Sequence, residues 1–131
     1  MQIITIIINE LPYKNDKAWN ALRLADELLN QPALQLPDGS SRMADKDIKV
    51  KIFLLEDGVD VGKENQDTKV KEYDLEELSK KLLAKDVPFV ACSTCLKVCG
   101  ISKEKLIDGI IEGHMSDLAK LVKESDKVLI F

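Results

Sequence analysis

Hydrophobic and polar positions along this chain alternate between two periods. Gln2–Asn9 reads QIITIIIN, a near-continuous β-branched run ended by Asn9-Glu10-Leu11-Pro12. Such a run suits a strand buried on both faces, as in a parallel sheet. Asp16–Asn30 places Trp19, Leu22, Leu24, Ala25, Leu28 and Leu29 at helical spacing, with Asn15 or Asp16 as the N-cap. Trp19 is read there as core packing. Gln31–Asp47 carries two prolines, a glycine and two serines with no period. It predicts a long loop between helix and strand, either a tolerated surface insertion or an element of assembly.

Ile48–Leu55 predicts a second strand, and Glu56-Asp57-Gly58 its exit. Val59–Gly62 reads as a helical turn and Lys63–Lys71 as a polar loop expected to be mobile. Asp74–Lys85 predicts a helix with Leu75, Leu78, Leu82 and Leu83 on one face and Asp74 with Glu77 as a capping pair. Asp86-Val87-Pro88 stops it, and Phe89-Val90-Ala91 is a short buried strand leading straight into Cys92. Ser102 reads as the N-cap of a turn at Lys103–Leu106, and Ile107–Glu112 as a fourth strand. Ser116–Glu124 predicts a helix and Lys127–Phe131 a final strand. Strands alternating with helices predict one α/β domain over residues 1–131, with a mostly parallel five-stranded sheet. No repeat or low-complexity tract interrupts it.

Composition narrows the function classes. With 131 residues, 45% hydrophobic and 32% charged, the chain has enough apolar material for a core, which excludes global disorder. A net charge of −4 without a basic cluster argues against general nucleic-acid binding. No apolar run approaches the roughly 20 residues of a membrane span. The N-terminal run has neither a basic n-region nor a small-residue cleavage site, so no secretory leader is expected. There is no Walker-type or GxGxxG glycine loop, and no cofactor is expected.

The cysteines change the picture most. Cys92, Cys95 and Cys99 all fall within eight residues. An odd number without a leader argues against a disulfide scaffold and for a reducing cytoplasm, where clustered thiols point to redox, sulfur or metal chemistry. The plainer reading of any one of them is a small buried hydrophobe. Cys92 ends a buried strand at the carboxyl edge of the sheet, where α/β proteins build sites. Amide N–H groups at a strand-to-helix turn favour thiolate, and Ser93 and Thr94 add hydroxyl donors. Cys95 lies one helical turn on and Cys99 a further turn, so a helix would put all three on one face. Three chemistries fit. Cys92 can accept sulfane sulfur as a persulfide and pass it on. Cys92 and Cys95 can form a CxxC dithiol–disulfide pair. Cys92, Cys95 and Cys99, with His114 as fourth ligand, can bind zinc or an iron–sulfur cluster. The plainer reading of His114, the only histidine, is a capping or surface residue. Asp57 is either a turn former before Gly58 or a site residue at the same sheet edge as Cys92.

These residues also carry a likeness. The chain resembles the DsrE/DsrF-like sulfur-relay family, and most closely its YchN-like branch. The likeness runs through Asn9-Glu10-Leu11-Pro12-Tyr13, the helix Ala18–Ala25, and Phe53-Leu54-Leu55-Glu56-Asp57-Gly58-Val59. It is strongest at Val87-Pro88, Cys92-Ser93-Thr94-Cys95 and Gly100-Ile101-Ser102, and extends through Leu106-Ile107-Asp108-Gly109 to Asp126–Phe131. It implies a three-layer α/β/α sandwich assembling as a homotrimer or homohexamer. It puts the family's sulfur-accepting cysteine on Cys92 and matches Cys95 to a second cysteine of the YchN-like branch. Where members commonly have Arg before the glycine that is here Gly100, this chain has Cys99. That removes one cation that would stabilise a thiolate. The expectation is a cytoplasmic sulfurtransferase or sulfur carrier. Cys92 holds the persulfide, Cys95 resolves or receives it, and Cys99 protects or extends the relay, with partner proteins as sulfur donor and acceptor. The competing expectation is an oligomeric redox or metal-binding protein.

Overall fold

The computed structural model describes residues 1–30, 37–39, 48–66 and 73–131. Its frame is a five-stranded sheet of β1 (Gln2–Ile8), β2 (Ile48–Leu54), β3 (Phe89–Cys92), β4 (Ile111–Gly113) and β5 (Lys127–Ile130), in the order β4-β3-β2-β1-β5. Each neighbouring pair is parallel. The β-branched run of β1 is explained by its central place. It pairs with β2 over its whole length and with β5 on the other side, and Ile4–Ile8 are buried without a break.

Helices α1 (Lys17–Asn30) and α2 (Leu75–Ala84) pack on each other, and α1 lies against β1 and β2. Three of the four buried residues of α1 are alanines (Ala18, Ala21, Ala25), so the helix axis can approach the strands closely. Asn15 caps it by accepting the Lys17 N–H at 2.9 Å, and Asp74 caps α2 by accepting the Glu77 N–H at 3.1 Å. The connections β1→β2→β3→β4 all run one way across the sheet, and the last returns from β4 to β5 at the far edge. Right-handed crossovers therefore put α4 (Met115–Glu124), which packs on β1 and β4, on the face opposite α1 and α2. That is the expected three-layer α/β/α arrangement. No helix among the described residues is long and apolar enough to cross a membrane.

Three expectations need correction. The fourth strand is Ile111–Gly113, displaced from Ile107–Glu112. Ile107 N–H instead donates to Gly62 O at 2.7 Å, and Ile110 N–H to Ile107 O at 3.1 Å across a turn with Gly109 at φ +102°. Ile107 and Ile110 are apolar because they are buried, and the periodicity of a buried turn mimics that of a strand. Ser102 precedes the 3₁₀ turn Lys103–Lys105 but makes no side-chain cap bond. Trp19 packs on the core only from its margin. Its ring lies 4.7 Å from that of Tyr73 and 4.3 Å under the Arg23 guanidinium. The predicted loop Gln31–Asp47 lies outside the described residues apart from a turn at 37–39, as does 67–71 of the predicted loop Lys63–Lys71.

Candidate functional site

Cys92 is where β3 becomes α3 (Ser93–Val98). Its backbone is still extended (φ −62°, ψ 117°), and its Sγ takes the place of an N-cap oxygen by accepting the Cys95 N–H at 3.4 Å. Its partner across the sheet is Gly113, the last residue of β4. A side chain there would meet Val90 Cγ1 at 2.3 Å, so only glycine lets the two strands close up beside the thiol. β3 and β4 are neighbours whose following connections run in opposite directions across the sheet. Such a switch point is where open α/β sheets leave a crevice.

Cys95 is half-buried, and its Sγ accepts the N–H of Glu56 at 3.1 Å. That donor belongs to the 3₁₀-helical segment Glu56–Gly62 after β2. Glu56 has φ +51°, a left-handed conformation that costs about 1 kcal/mol for a residue with a Cβ. The segment is laid on the end of β1: Leu55 N–H donates to Ile8 O at 2.9 Å, and Gly58 N–H to Leu55 O at 2.9 Å. A Cβ on Gly58 would stand 1.9 Å from Ile8 O, so that approach admits hydrogen alone. Burial raises the pKa of the Cys95 thiol above the ordinary thiol value. The neighbouring Cys92 sulfur adds to the rise and the Glu56 N–H opposes it.

Cys99 is the C-cap of α3 and is exposed, with its N–H still bonded to Cys95 O at 2.9 Å. Gly100 follows at φ +70°, the left-handed residue that ends many helices. Its thiol pKa is also raised, by burial first and then by the carboxylates of Asp57 and Asp60. The three cysteines thus form a graded row from buried Cys92 through half-buried Cys95 to exposed Cys99. Cys95 feels the charge of both others, which agrees with one helix face.

The predicted site residues are not all brought to the same thiol. Asp57 is at the expected edge, but its charge acts on Cys99. Asp60 joins it there, one 3₁₀ turn later, where positions i and i+3 eclipse. That spacing was readable as Asp57-Gly58-Val59-Asp60. Ser93 is buried and Thr94 exposed, and among the described residues neither hydroxyl bonds a cysteine sulfur. The donors that do so are main-chain N–H groups, which leave no mark in a sequence. His114 is exposed at the start of α4, where its N–H donates to Asp117 Oδ2 at 2.8 Å. The metal set Cys92, Cys95, Cys99 and His114 is not assembled. Among the described residues no three His, Cys, Asp or Glu side chains are placed to hold one ion. The row spans two turns of chain from a buried cap to an exposed one, so the sulfurs are spread along α3 and do not converge.

A parallel α/β sheet with a row of free thiols at its switch point defines a thiol-bearing α/β protein of the layered kind. Comparison with known proteins narrows that class. The chain belongs to the DsrE/DsrF-like family, whose family model matches residues 2–131. It is 33% identical over 131 residues to protein YchN of Escherichia coli K12, with the whole of both chains covered. It is 36% identical over 132 residues to the uncharacterized protein MK0008 of Methanopyrus kandleri, covering 100% of this chain and 95% of that one. The crystal structure of the ychN protein from E. coli superposes with a TM-score of 0.84 over the full length of both chains. The structure of MTH1491 from Methanobacterium thermoautotrophicum, 14% identical, has the same fold with a TM-score of 0.73.

Proposed function

We propose that the protein accepts sulfane sulfur as a persulfide on Cys92 and passes it on, with Cys95 as the resolving or receiving thiol. The observation that carries this reading is the pair of main-chain donors. Cys95 N–H faces Cys92 Sγ and Glu56 N–H faces Cys95 Sγ, so two adjacent sulfurs each have a group able to stabilise an anion. The Cys92 thiolate attacks the outer sulfur of a donor persulfide; the donor S–S bond breaks and the donor leaves as a thiol. Attack of Cys95 on the outer sulfur then moves it along. Attack on Cys92 Sγ instead releases hydrogen sulfide and leaves a Cys92–Cys95 disulfide, which is the dithiol redox reading of the same pair.

A carrier of this kind works between a sulfur-donor and a sulfur-acceptor protein in a reducing cytoplasm, and need not turn over a small substrate. Assembly into a homotrimer or homohexamer is part of the reading. It draws support from exposed apolar side chains on β4, α4 and the edge strand β5: Ile111, Met115, Val122 and Ile130, the last 66% exposed. The deciding experiment is the intact mass of anaerobically purified protein before and after a persulfide donor, with peptide mapping. One sulfur gained on Cys92, and lost from that peptide in Cys92→Ser, is the expected result. Protein that gains no sulfur but forms a reversible Cys92–Cys95 disulfide would favour the redox reading.

A further inference from the structure

We infer that Cys99 is the entry thiol of this carrier: sulfur from a bulky donor lands on Cys99 and moves inward to Cys95 and then Cys92. The inference rests on the persulfide reading above and changes one step of it: direct attack by Cys92 on the donor is kept for small donors, while sulfur from a bulky donor reaches Cys92 last. Three observations point to it.

The first is access. Cys92 is 5% exposed and Cys95 is half-buried, so a cysteine fixed on the surface of another protein reaches neither easily. Cys99 is exposed beside Val98, which is 82% exposed, and Gly100, around whose Cα nothing lies within contact of a built Cβ.

The second is reach. Cys95 and Cys99 are one turn apart and still joined by the Cys99 N–H to Cys95 O bond of 2.9 Å. Residues at that spacing have Cβ atoms roughly 5–6 Å apart. A persulfide puts its outer sulfur about 2 Å beyond Cys99 Sγ, which brings it within range of Cys95 Sγ.

The third is electrostatic direction. A persulfide is a stronger acid than its thiol and is the more anionic of the two near neutrality. The carboxylates facing Cys99 are Asp57 and Asp60. They disfavour an anion there. Further in, the Glu56 N–H and the Cys95 N–H point at Cys95 and Cys92 and favour one. The groups beside the sulfurs thus change from carboxylates at Cys99 to N–H donors at Cys95 and Cys92, and at Cys95 that donor works against burial.

The step balances without a further reagent. The Cys95 thiolate attacks the outer sulfur of the Cys99 persulfide. A Cys95 Sγ–S bond forms, and the Cys99 Sγ–S bond breaks with its electron pair left on Cys99 Sγ. The proton given up by Cys95 ends on Cys99, so one thiol and one persulfide become one persulfide and one thiol with no net oxidation.

The test uses the full chain and two donors: persulfidated serum albumin as a bulky probe and glutathione persulfide as a small one. Samples are quenched over time by alkylation and read cysteine by cysteine in a mass spectrometer. With albumin persulfide, sulfur is expected first on Cys99 and afterwards on Cys95 and Cys92. Cys99→Ser is expected to slow that inner loading by about tenfold or more because access governs exchange. The same variant should load from glutathione persulfide at close to the wild-type rate. Cys95→Ser should leave sulfur stalled on Cys99. Inner loading of Cys99→Ser from albumin at the wild-type rate would overturn the entry role and leave the carrier reading standing. So would equal slowing with both donors, or wild-type filling of Cys92 in Cys95→Ser. Wild-type protein that gains no sulfur on any thiol would end the carrier reading, and this inference with it.

Discussion

The thiol edge and the seam between α1 and α2 are held by different kinds of atom. At the edge, the groups that meet the sulfurs are main-chain N–H groups of Cys95 and Glu56, and the fit depends on missing side chains at Gly58 and Gly113. Along the seam, side-chain tips make the contacts. Asp26 takes Lys81 at 3.1 Å and Lys85 at 2.8 Å, and Lys85 also reaches Asn30 at 3.1 Å. At one end of it Tyr73 donates to Asn15 O at 2.7 Å and stacks with Trp19. A site built from backbone tolerates changes to neighbouring side chains and fails when the chain path moves. A seam built from tips loses its contacts singly.

The sharpest way to break the edge is Gly58→Ala. The new Cβ meets a carbonyl oxygen and carbon of β1 at 1.9 and 2.6 Å, and neither can swing away like the end of a side chain. The expected loss is about 2–4 kcal/mol of stability, measured by denaturant unfolding. Alkylation of Cys95 in the folded protein should also speed up as the Glu56 N–H is displaced from its sulfur. Gly100→Ala is the control: it carries φ +70° but has open space, so it should lose only about 1 kcal/mol. Equal losses in the two variants would mean that dihedral strain, and not the close approach to β1, sets the requirement for glycine.

Much of the fold was legible because it follows from period. The continuous run of β1, the alaninyl face of α1 and the Asp74 cap all announce themselves in local sequence, and so does the step from Phe89–Ala91 into Cys92. β4 was misplaced because a buried turn and a short strand share the same apolar signature. Within the site, the thiol row and Asp57 were legible as residue types. Glu56 was not, since what it supplies is an N–H aimed by a left-handed backbone. The metal set was readable as residue types too, but among the described residues it is not gathered at one point. Spacing alone puts thiols on one face of a helix, but a closed site needs them to converge on a point.

The seam should give way more gently. Burial would raise the Asp26 pKa, but its hydrogen bonds to Lys85 and Lys81 outweigh that and hold it below the ordinary aspartate value. A carboxylate with a lowered folded pKa stabilises the fold at pH values above its unfolded pKa. That contribution fades as pH falls through the folded value. Both lysines are partly exposed, so screening keeps the effect small. Asp26→Asn is expected to lose about 0.5–1.5 kcal/mol at pH 7. The gap to wild type should close on acidification below the usual carboxylate range, and Cys95 alkylation should not change. A gap that persists undiminished at low pH would show that the ion pairs are not its source.

The smallest effect has the opposite sign. Ser79 is fully buried on α2 between Leu75 and Leu82, and its hydroxyl has no partner among the described residues. An unpaired buried hydroxyl is unfavourable, and alanine is the better helix former by a few tenths of a kcal/mol. Ser79→Ala should therefore stabilise the protein by about 0.5–1.5 kcal/mol and raise the melting temperature by a few degrees. The alkylation rates of all three cysteines should stay at wild-type values, because α2 supplies none of the atoms that meet the sulfurs. A destabilised variant would mean that the hydroxyl is engaged. A stabilised one with altered thiol reactivity would mean that the seam and the edge are coupled, and the separation between a backbone-built site and a side-chain-built seam would have to be given up.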